Sequence, residues 1–372
     1  MQNRREFLFS LTGLAAAATV GCGSGSSPAG VTPAQSQAVD ALANAQAGST
    51  TPGVQLGISY KGNIILARGY GNRTLSPNAT MLATTPMQIG SVTKQFTVAC
   101  ILLLQEKGLL SIDDPLSKYV PEITYGNNIT LREMLNNISG LTTNALVLFN
   151  PPVPFTETTT AEYLARLNGQ PLDFAPGTKF EYSNPNFWLA GLIVERVSGV
   201  GYNTFLQANI FSVAGMASTY LVGSETNANA ALGYQPATSG SGFQAAQPWA
   251  DSYLFSTGGL VSTVEDILTW NAALTYGEIL NPASLTTMFT VPSLPDGAKT
   301  SYAMGWLVGQ NVTWHNGQLS GFRAMNAMFS DGYNVTVLGN EADPAGKWSP
   351  ENLAVAVHAV FNPNLPITLL PS

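Results

Sequence analysis

The sequence predicts an α+β fold in which an antiparallel sheet is built from both ends of the chain and a helical region is inserted between them. Two observations predict this arrangement: hairpin patterns lie at 54–69 and at 324–340, and helix signals dominate the residues between them. The length of 372 residues fits two or three domains, or one large domain with an insertion. With 45% hydrophobic residues the chain can bury a sizeable core, which excludes a mainly disordered protein.

The first hairpin and the helix after it have the clearest local patterns. Residues 54–60 and 64–69 are apolar, partly β-branched runs joined by Lys61-Gly62-Asn63, which is typical of a hairpin. Residues 91–107 predict a helix that ends at Gly108. Because this helix is apolar on nearly all sides, we expect it to be central and buried.

Residues 111–250 are rich in Pro and Asn and predict short helices, such as one over 131–136. Asn184 is expected to cap a helix that runs to about residue 198, with Pro185 at its first position.

Towards the C-terminus, residues 263–266 resemble a capping box that opens a helix ending at Gly277. The second hairpin follows at 324–340. A last helix is predicted over 350–360, with Ser349 as its N-cap.

Composition excludes several classes of function. The net charge is −7, and Lys and Arg together number only 15, so the chain lacks the basic excess of nucleic-acid-binding proteins. Cys22 and Cys100 lie far apart, and His315 and His358 are not spaced as a metal-binding pair, so we predict no metal site and no disulfide scaffold.

The N-terminus predicts export. Residues 1–21 combine Arg4-Arg5 with an apolar run that is shorter than the ~20 residues of a membrane span, as in a twin-arginine signal peptide. Cys22 ends a lipobox-like sequence, although Thr19 stands where an aliphatic residue is usual. A flexible tether is predicted over 22–36. We therefore expect a periplasmic or cell-surface lipoprotein that touches a membrane only through its lipid; the alternative is a simple cleaved signal with an incidental Cys22.

The sharpest chemical signal is Ser91 followed by Lys94, one helical turn later on the same face. A serine hydroxyl needs a base, and Lys can be that base only when neutral. Lowering the pKa of a lysine from ~10.4 to near 7 costs roughly 4 kcal/mol, which burial in an apolar helix can impose. The helix N-terminus also places the Ser91 N–H where it can face an oxyanion. The alternative is a helix cap beside a surface lysine, since this motif alone is weak.

Two further motifs lie on loops or strands. Tyr182 lies just before a helix, and a phenol can act as a base when cations stabilise its phenolate. The alternative is that Tyr182 is a buried core tyrosine and that Asn184 only caps the helix. His315 is followed by Gly317, which allows a strand backbone to approach a ligand closely. A lone histidine is more often structural.

Together and in this order, the three motifs resemble those of the serine β-lactamase and penicillin-binding protein superfamily, S-x-x-K, Y-[SA]-N and [KH]-x-G. The likeness is greatest to the branch of class C β-lactamases, D-alanyl-D-alanine carboxypeptidases and esterases. It covers about residues 34–360 and includes the segments 88–94, 112–115, 130–132, 139–141, 176–184, 258–263, 304–306 and 315–317.

The resemblance implies a β-lactamase/transpeptidase-like fold, an α/β/α sandwich with an antiparallel sheet plus an all-helical region. We place the hydrolase domain at 37–362, with its sheet part over about 37–95 and 255–362 and its helical part over about 96–254. No cofactor is implied.

The resemblance also implies roles for the motif residues. Ser91 becomes the acylated nucleophile, and Lys94 and Tyr182 a coupled proton-transfer pair in which Tyr182 is the base for the deacylating water. Asn184 would hold a substrate amide or order the site. His315 would take the position often filled by Lys and support Tyr182 electrostatically.

The substrate-binding strand is implied to carry the rest of the site. The N–H groups of Ser91 and Gln318 would form the oxyanion hole, with Gly317 beside them. Arg323 is a candidate for binding a substrate carboxylate, although a structural arginine is the alternative.

Two departures from the family pattern affect the expected function. Asn137 begins a segment that reads His-Thr-Ser-Gly in many relatives, so a local hydrogen bond differs. His315 replaces a lysine that would offer a fixed cation to a β-lactam carboxylate, whereas histidine is neutral over much of the relevant pH range. This favours peptidase or esterase relatives over a class C β-lactamase.

The resulting hypothesis is a serine hydrolase that forms an acyl-enzyme on Ser91 and acts on small esters, amides or D-amino-acid peptides, with penicillin binding expected. A class C-like β-lactamase is the alternative within this class. A non-catalytic, membrane-tethered binding lipoprotein is the alternative from another class, because a fold alone does not establish a function.

Overall fold

The structure is a computed structural model that describes residues 30–142, 155–239, 241–342 and 348–370. The predicted signal peptide, Cys22 and the first part of the tether lie outside these residues. The strands, in chain order, are β1 (Gly53–Tyr60), β2 (Asn63–Leu75), β3 (Asn78–Thr80), β4 (Met87–Gln88), β5 (Tyr220–Leu221), β6 (Tyr234–Pro236), β7 (Phe243–Ala245), β8 (Leu260–Ser262), β9 (Tyr302–Ala303), β10 (Trp306–Val308), β11 (Val312–Leu319), β12 (Phe322–Phe329) and β13 (Tyr333–Gly339).

The helices lie before, between and after these strands. They are α1 (Pro33–Asn44), α2 (Thr93–Glu106), α3 (Leu131–Leu135), α4 (Thr160–Asn168), α5 (Asn184–Ser198), α6 (Tyr202–Leu206), α7 (Ser212–Ala214), α8 (Asp251–Gly258), α9 (Val264–Thr275), α10 (Pro282–Phe289) and α11 (Pro350–Phe361). No helix in the described ranges is long and apolar enough to cross a membrane.

The main sheet joins the two ends of the chain, as predicted. Its eight strands lie in the order β3-β2-β1-β13-β12-β11-β10-β9, and every neighbouring pair is antiparallel. The predicted first hairpin is present, and its turn places Lys61 and Gly62 at φ 49° and 82°. Both residues have the left-handed backbone conformation that a two-residue hairpin turn requires, which explains why a glycine occupies position 62.

Helices cover both faces of this sheet and complete the expected α/β/α sandwich. α9 packs on one face, where a Cβ added to Gly57 would lie 2.9 Å from atoms of Val264 and Leu268. α1 and α11 pack on the other face, where a Cβ on Gly339 would lie 2.3 Å from the Trp348 ring. Successive residues of each strand therefore face different helical layers.

The predicted central helix, α2, is buried almost throughout. Phe96 stacks on Trp270 of α9 with ring centroids 4.3 Å apart, which ties the helix to the sheet layer. The predicted start at Ser91 differs in one respect, because Gly90–Val92 forms a 3₁₀ turn and α-helical geometry begins at Thr93. Its end agrees with the prediction, with Gly108 at φ 70°.

Three local predictions need correction. Helix α1 begins at Pro33, inside the predicted 22–36 tether, because Thr32 and Gln35 form a reciprocal capping box. Ser183, not Asn184, is the N-cap of α5, and its hydroxyl donates to the Thr142 carbonyl instead of capping the helix.

The capping box predicted at 263–266 is only half formed. Thr263 accepts from Asp266 N, but the Asp266 carboxylate accepts from Ser218 N and Thr219 Oγ1. The region predicted as helical also contains the short strands β5, β6 and β7.

Candidate active site

Ser91 and Lys94 meet at the start of α2. Lys94 is completely buried, while Ser91 remains partly exposed beside it. Lys94 Nζ lies 3.0 Å from Ser91 Oγ and donates to the Thr257 carbonyl at 2.8 Å. The rings of Tyr182 and Phe187 flank the amine, with centroids 5.0 and 5.3 Å from Nζ. The amine is thus held against the serine hydroxyl in a mainly apolar enclosure.

Burial sets the charge state of this amine. It lowers the pKa of Lys94 well below the ordinary value, because the ammonium form loses its hydration without gaining a carboxylate. A neutral amine that donates to Thr257 keeps a lone pair free for the Ser91 proton. The environment therefore suits Lys94 as a general base.

Tyr182 lies beside this pair and is half-buried, with its hydroxyl oxygen inaccessible to solvent. Its hydroxyl has no hydrogen-bond partner among the described residues. Burial raises the pKa of Tyr182, and the nearby Ser91 hydroxyl offsets part of this rise. The resting side chain is accordingly a neutral phenol, which can donate a proton to a group bound at Ser91.

His315 lies on β11, with its ring centroid 6.1 Å from that of Tyr182. Its Nδ1 lies 2.6 Å from the Asn316 carbonyl oxygen, and its Nε2 lies 3.2 Å from the Tyr302 hydroxyl. Burial, reinforced by nearby Lys94, lowers the pKa of His315 to about 3. His315 lies near Tyr182, as predicted. Because its imidazole is neutral, it cannot stabilise a Tyr182 phenolate as a cation would.

The backbone between the first and third motifs is closely packed. A Cβ on Gly317 would lie 2.0 Å from the Ile89 carbonyl oxygen and 3.1 Å from Ser91 N. A Cβ on Gly90 would lie 2.9 Å from Gln318 N. Glycine is therefore needed at both positions to bring the backbone of β11 against the turn that carries Ser91.

Among the described residues, the segment of β11 after Trp314 pairs with a strand on one side only. Its pairing with β10 ends at Trp314, and β11 lies against the Gly90–Val92 turn. A strand edge next to a nucleophile can bind an extended substrate backbone.

A family model described as Beta-lactamase matches residues 39–360. The chain belongs to the beta-lactamase family. The match extends from α1 to α11 and includes all three motifs.

Curated relatives in this family are distant. One, from Bacillus subtilis (strain 168), is named a penicillin-binding protein, PbpX; it is 26% identical over 288 residues, which cover 76% of this chain and 68% of the relative. Protein flp of Staphylococcus aureus (strain COL) is 26% identical over 305 residues, which cover 78% of this chain and 59% of flp.

Solved structures share the fold. A penicillin-binding protein homologue from Pyrococcus abyssi has a TM-score of 0.75 at 24% identity, covering 88% of this chain and 77% of the homologue. D-amino acid amidase from Ochrobactrum anthropi SV3 has a TM-score of 0.78 at 22% identity, covering 89% of this chain and 99% of the amidase. The fold is thus the β-lactamase/transpeptidase-like fold that the motifs imply.

Not every predicted site residue joins the cluster. Arg323 of β12 pairs with Gln318, which lies three residues after His315 on β11. Because side chains alternate between the two faces along a strand, the Arg323 side chain lies on the face opposite to that of His315. There Arg323 Nη1 donates to the Trp348 carbonyl at 2.8 Å. Arg323 is therefore a structural arginine, not a residue that faces the site. The alternation of side chains along the pleated strand places it on the wrong face.

Asn184 and the remaining candidates are placed as follows. Asn184 begins α5 and lies close to the phenol of Tyr253, where it offsets part of the rise in the pKa of Tyr253 that burial causes. Cys100 is buried in α2, and His358 Nε2 lies 2.9 Å from Asp331 Oδ2.

Two residues of the site were not predicted from the sequence. Thr257 supplies the carbonyl that accepts from Lys94, and Tyr302 hydrogen-bonds His315. Thr257 immediately precedes a family-like segment at 258–263, which is the only local signal for it. Among the described residues, no group of His, Cys, Asp and Glu could hold a metal ion.

Proposed function

We propose that this family member is a serine hydrolase that forms an acyl-enzyme on Ser91 and hydrolyses small esters, amides or D-amino-acid peptides. The observation that carries the proposal is the fully buried amine of Lys94, 3.0 Å from the partly exposed Ser91 hydroxyl. A lysine directed away from Ser91 would instead have favoured a non-catalytic binding lipoprotein.

Acylation begins with a neutral pair, Lys94 and Tyr182. The Ser91 oxygen attacks the substrate carbonyl carbon while its proton passes to Lys94 Nζ. The N–H groups of Ser91 and Gln318 stabilise the oxyanion. Lys94 is now an ammonium beside Tyr182, which lowers the pKa of the phenol. Tyr182 gives its proton to the leaving group, whose bond to the acyl carbon breaks.

Deacylation reverses these transfers. Water attacks the acyl carbon and gives a proton to the Tyr182 phenolate. The bond from the acyl carbon to Ser91 then breaks, and the Lys94 ammonium returns its proton to the serine oxygen. The products are the carboxylic acid and the protonated leaving group, and both side chains are neutral again.

The charges around the cleft favour substrates without a carboxylate at the β11 edge. His315 is neutral, and Arg323 is committed to Trp348 on the far face of the sheet. Simple esters and amides need no fixed cation, whereas a β-lactam carboxylate gains from one. We therefore rank esterase or amidase activity above β-lactam turnover, with penicillins forming slowly released adducts.

The test is intact-protein mass spectrometry after incubation with a fluorophosphonate and, separately, with a penicillin. We expect one adduct per chain on the wild type and on Ser49→Ala, whose serine is exposed and remote, and none on Ser91→Ala. Hydrolysis of a chromogenic short-chain ester should fall at least 1,000-fold in Ser91→Ala, in keeping with loss of a nucleophile, about 10³ or more. Equal labelling of Ser91→Ala would overturn the proposal.

A panel of short-chain esters, D-amino-acid amides, D-Ala-D-Ala peptides and a chromogenic cephalosporin then identifies the substrate class. Rapid turnover of the cephalosporin would instead establish the β-lactamase alternative.

We also propose that the protein is exported and anchored through lipid on Cys22. Cell fractionation should place the wild type with membranes, and Cys22→Ser should release the chain into the soluble exported fraction. An unchanged membrane association in Cys22→Ser would contradict the lipid anchor.

A further inference from the structure

A buried tyrosine connects the third motif to the second. Tyr302 lies in the short strand β9, and its hydroxyl lies 3.2 Å from His315 Nε2. Its ring also packs edge-on against Tyr182, with centroids 6.0 Å apart and planes at 78°. Tyr302 is fully buried, so both contacts are made away from solvent.

The direction of the hydrogen bond follows from the partners of the imidazole. Asn316 offers His315 Nδ1 a carbonyl oxygen, which can only accept, so Nδ1 carries the proton. Because His315 is neutral, Nε2 then has only a lone pair. Tyr302 must therefore donate to Nε2, and His315 is held as its Nδ1–H tautomer.

Asn137 has one determined amide orientation near these residues. Its Oδ1 accepts from the backbone N–H of Ser183 at 3.0 Å and from Asn186 Nδ2 at 3.0 Å. A backbone N–H can only donate, so the amide orientation is determined and Nδ2 points the other way. Asn137 Nδ2 makes no hydrogen bond among the described residues, and Asn137 offsets part of the rise in the pKa of Tyr302 that burial causes.

The same amide holds the second motif in place. Ser183 follows Tyr182 directly, and Asn137 adopts φ 56°, a left-handed conformation that asparagine tolerates well. The Tyr182 hydroxyl itself has no hydrogen bond among the described residues. Packing against Tyr302, His315 and Lys94, together with the bonded backbone of Ser183, therefore holds the Tyr182 ring in place.

We propose that Tyr302 is a positioning residue for the reaction at Ser91, because its hydroxyl donates to Nε2 and anchors the His315 imidazole, and its ring supports that of Tyr182. The inference rests on the proposed function, in which Tyr182 transfers protons. Tyr302 itself bonds His315 and packs on Tyr182, so it acts on the reaction through these two residues.

The first test is spectroscopic and does not depend on activity. The chain has only two histidines, so a ¹⁵N-histidine-labelled sample gives two imidazole patterns, which His358→Gln assigns. We expect His315 of the wild type to be neutral with Nδ1 protonated at neutral pH. Tyr302→Phe removes the donor to Nε2, so the Nε2 resonance should move, while Nδ1 stays protonated because it still faces the Asn316 carbonyl.

The second test is kinetic. Tyr302→Phe keeps the ring, so we expect kcat for a chromogenic ester to fall roughly tenfold while KM stays nearly unchanged, since misplaced reacting groups reduce the rate of chemistry. Tyr333→Phe, a remote tyrosine on β13 that packs on Tyr60, should leave both constants at wild-type values.

An Nε2–H tautomer in the wild type, or a Tyr302→Phe variant with unchanged imidazole signals and unchanged kcat, would overturn the inference. Its failure is distinguishable from failure of the proposed function. Full hydrolysis by Ser91→Ala would overturn the acyl-enzyme and leave the tautomer measurement intact.

Discussion

At the residue scale, Lys94 and Tyr182 show how burial prepares a proton-transfer pair. Burial disfavours the charged form of either group, so it lowers the pKa of the amine and raises that of the phenol. Both shifts favour the neutral form of the group before substrate binds. The first charge in the enclosure forms only when Ser91 attacks, which is when the ammonium can help Tyr182.

Lys94→Arg is expected to lose acylation activity. A guanidinium stays protonated and cannot accept the Ser91 proton. We expect the rate of ester acylation, measured as a pre-steady-state burst, to fall by about 10² to 10⁴, the usual contribution of a general base.

The matched control is Lys107→Arg, at the exposed end of α2, where the lysine donates to Asn209 Oδ1 and lies over the Phe205 ring. It should acylate at the wild-type rate. A Lys94→Arg variant with a wild-type burst would show that Lys94 is not the base.

At the element scale, the close approach of β11 to the 3₁₀ turn at Gly90–Val92 builds the backbone side of the site. Gly317 has no room for a side chain, because its added Cβ would meet backbone atoms of Ile89 and Ser91, which cannot rotate away. Strand and turn must stay together for the N–H groups of Ser91 and Gln318 to serve one oxyanion.

We predict that Gly317→Ala separates β11 from this turn. The loss of one oxyanion donor typically costs about 10² to 10³ in rate, so a loss of that size is expected in ester hydrolysis. A stability loss of about 1 to 3 kcal/mol, measured by urea unfolding, should accompany it.

Gly169→Ala is the control. Gly169 lies at the end of α4 with φ −78°, and a Cβ added to it would lie 3.4 Å from its nearest neighbour atom. It should keep wild-type activity. Full activity in Gly317→Ala would contradict the proposed oxyanion hole.

At the scale of the whole molecule, the buried His315 links stability to pH. Its ordinary pKa is 6.5, and burial with nearby Lys94 lowers its pKa to about 3 in the folded protein. Between these pH values the unfolded chain binds a proton that the folded chain does not, so stability is complete above pH 6.5 and falls as the pH drops towards 3.

We therefore expect the free energy of unfolding of the wild type to decline faster with falling pH than that of His315→Gln, by up to a few kcal/mol. Urea titrations at several pH values from about 4 to 7 measure the two slopes. The carboxylates are common to both proteins and cancel in the comparison. Parallel slopes would show that His315 is not held neutral by the fold.

Much of the architecture could be predicted from the sequence because it depends on neighbouring residues. The Lys61-Gly62 turn, the all-round apolar pattern of α2, and the cap and end residues of α11 are local features, and each corresponds to an element of the structure. Helix α1 was not predicted, because the residues before it have the composition of a tether, although Thr32 and Gln35 form a capping box at its start.

The order of the main elements, the family motifs and the pairing of Ser91 with Lys94 could therefore be predicted from the residues alone, since one helical turn brings residues three apart together. The partners of His315, the support of Tyr182 by Tyr302 and the position of Arg323 outside the site became visible only in the fold. Those features depend on contacts between distant segments and on which face of a pleated strand a side chain occupies. Neither follows from local spacing, because both require the register of strands and helices that pack only in the folded chain.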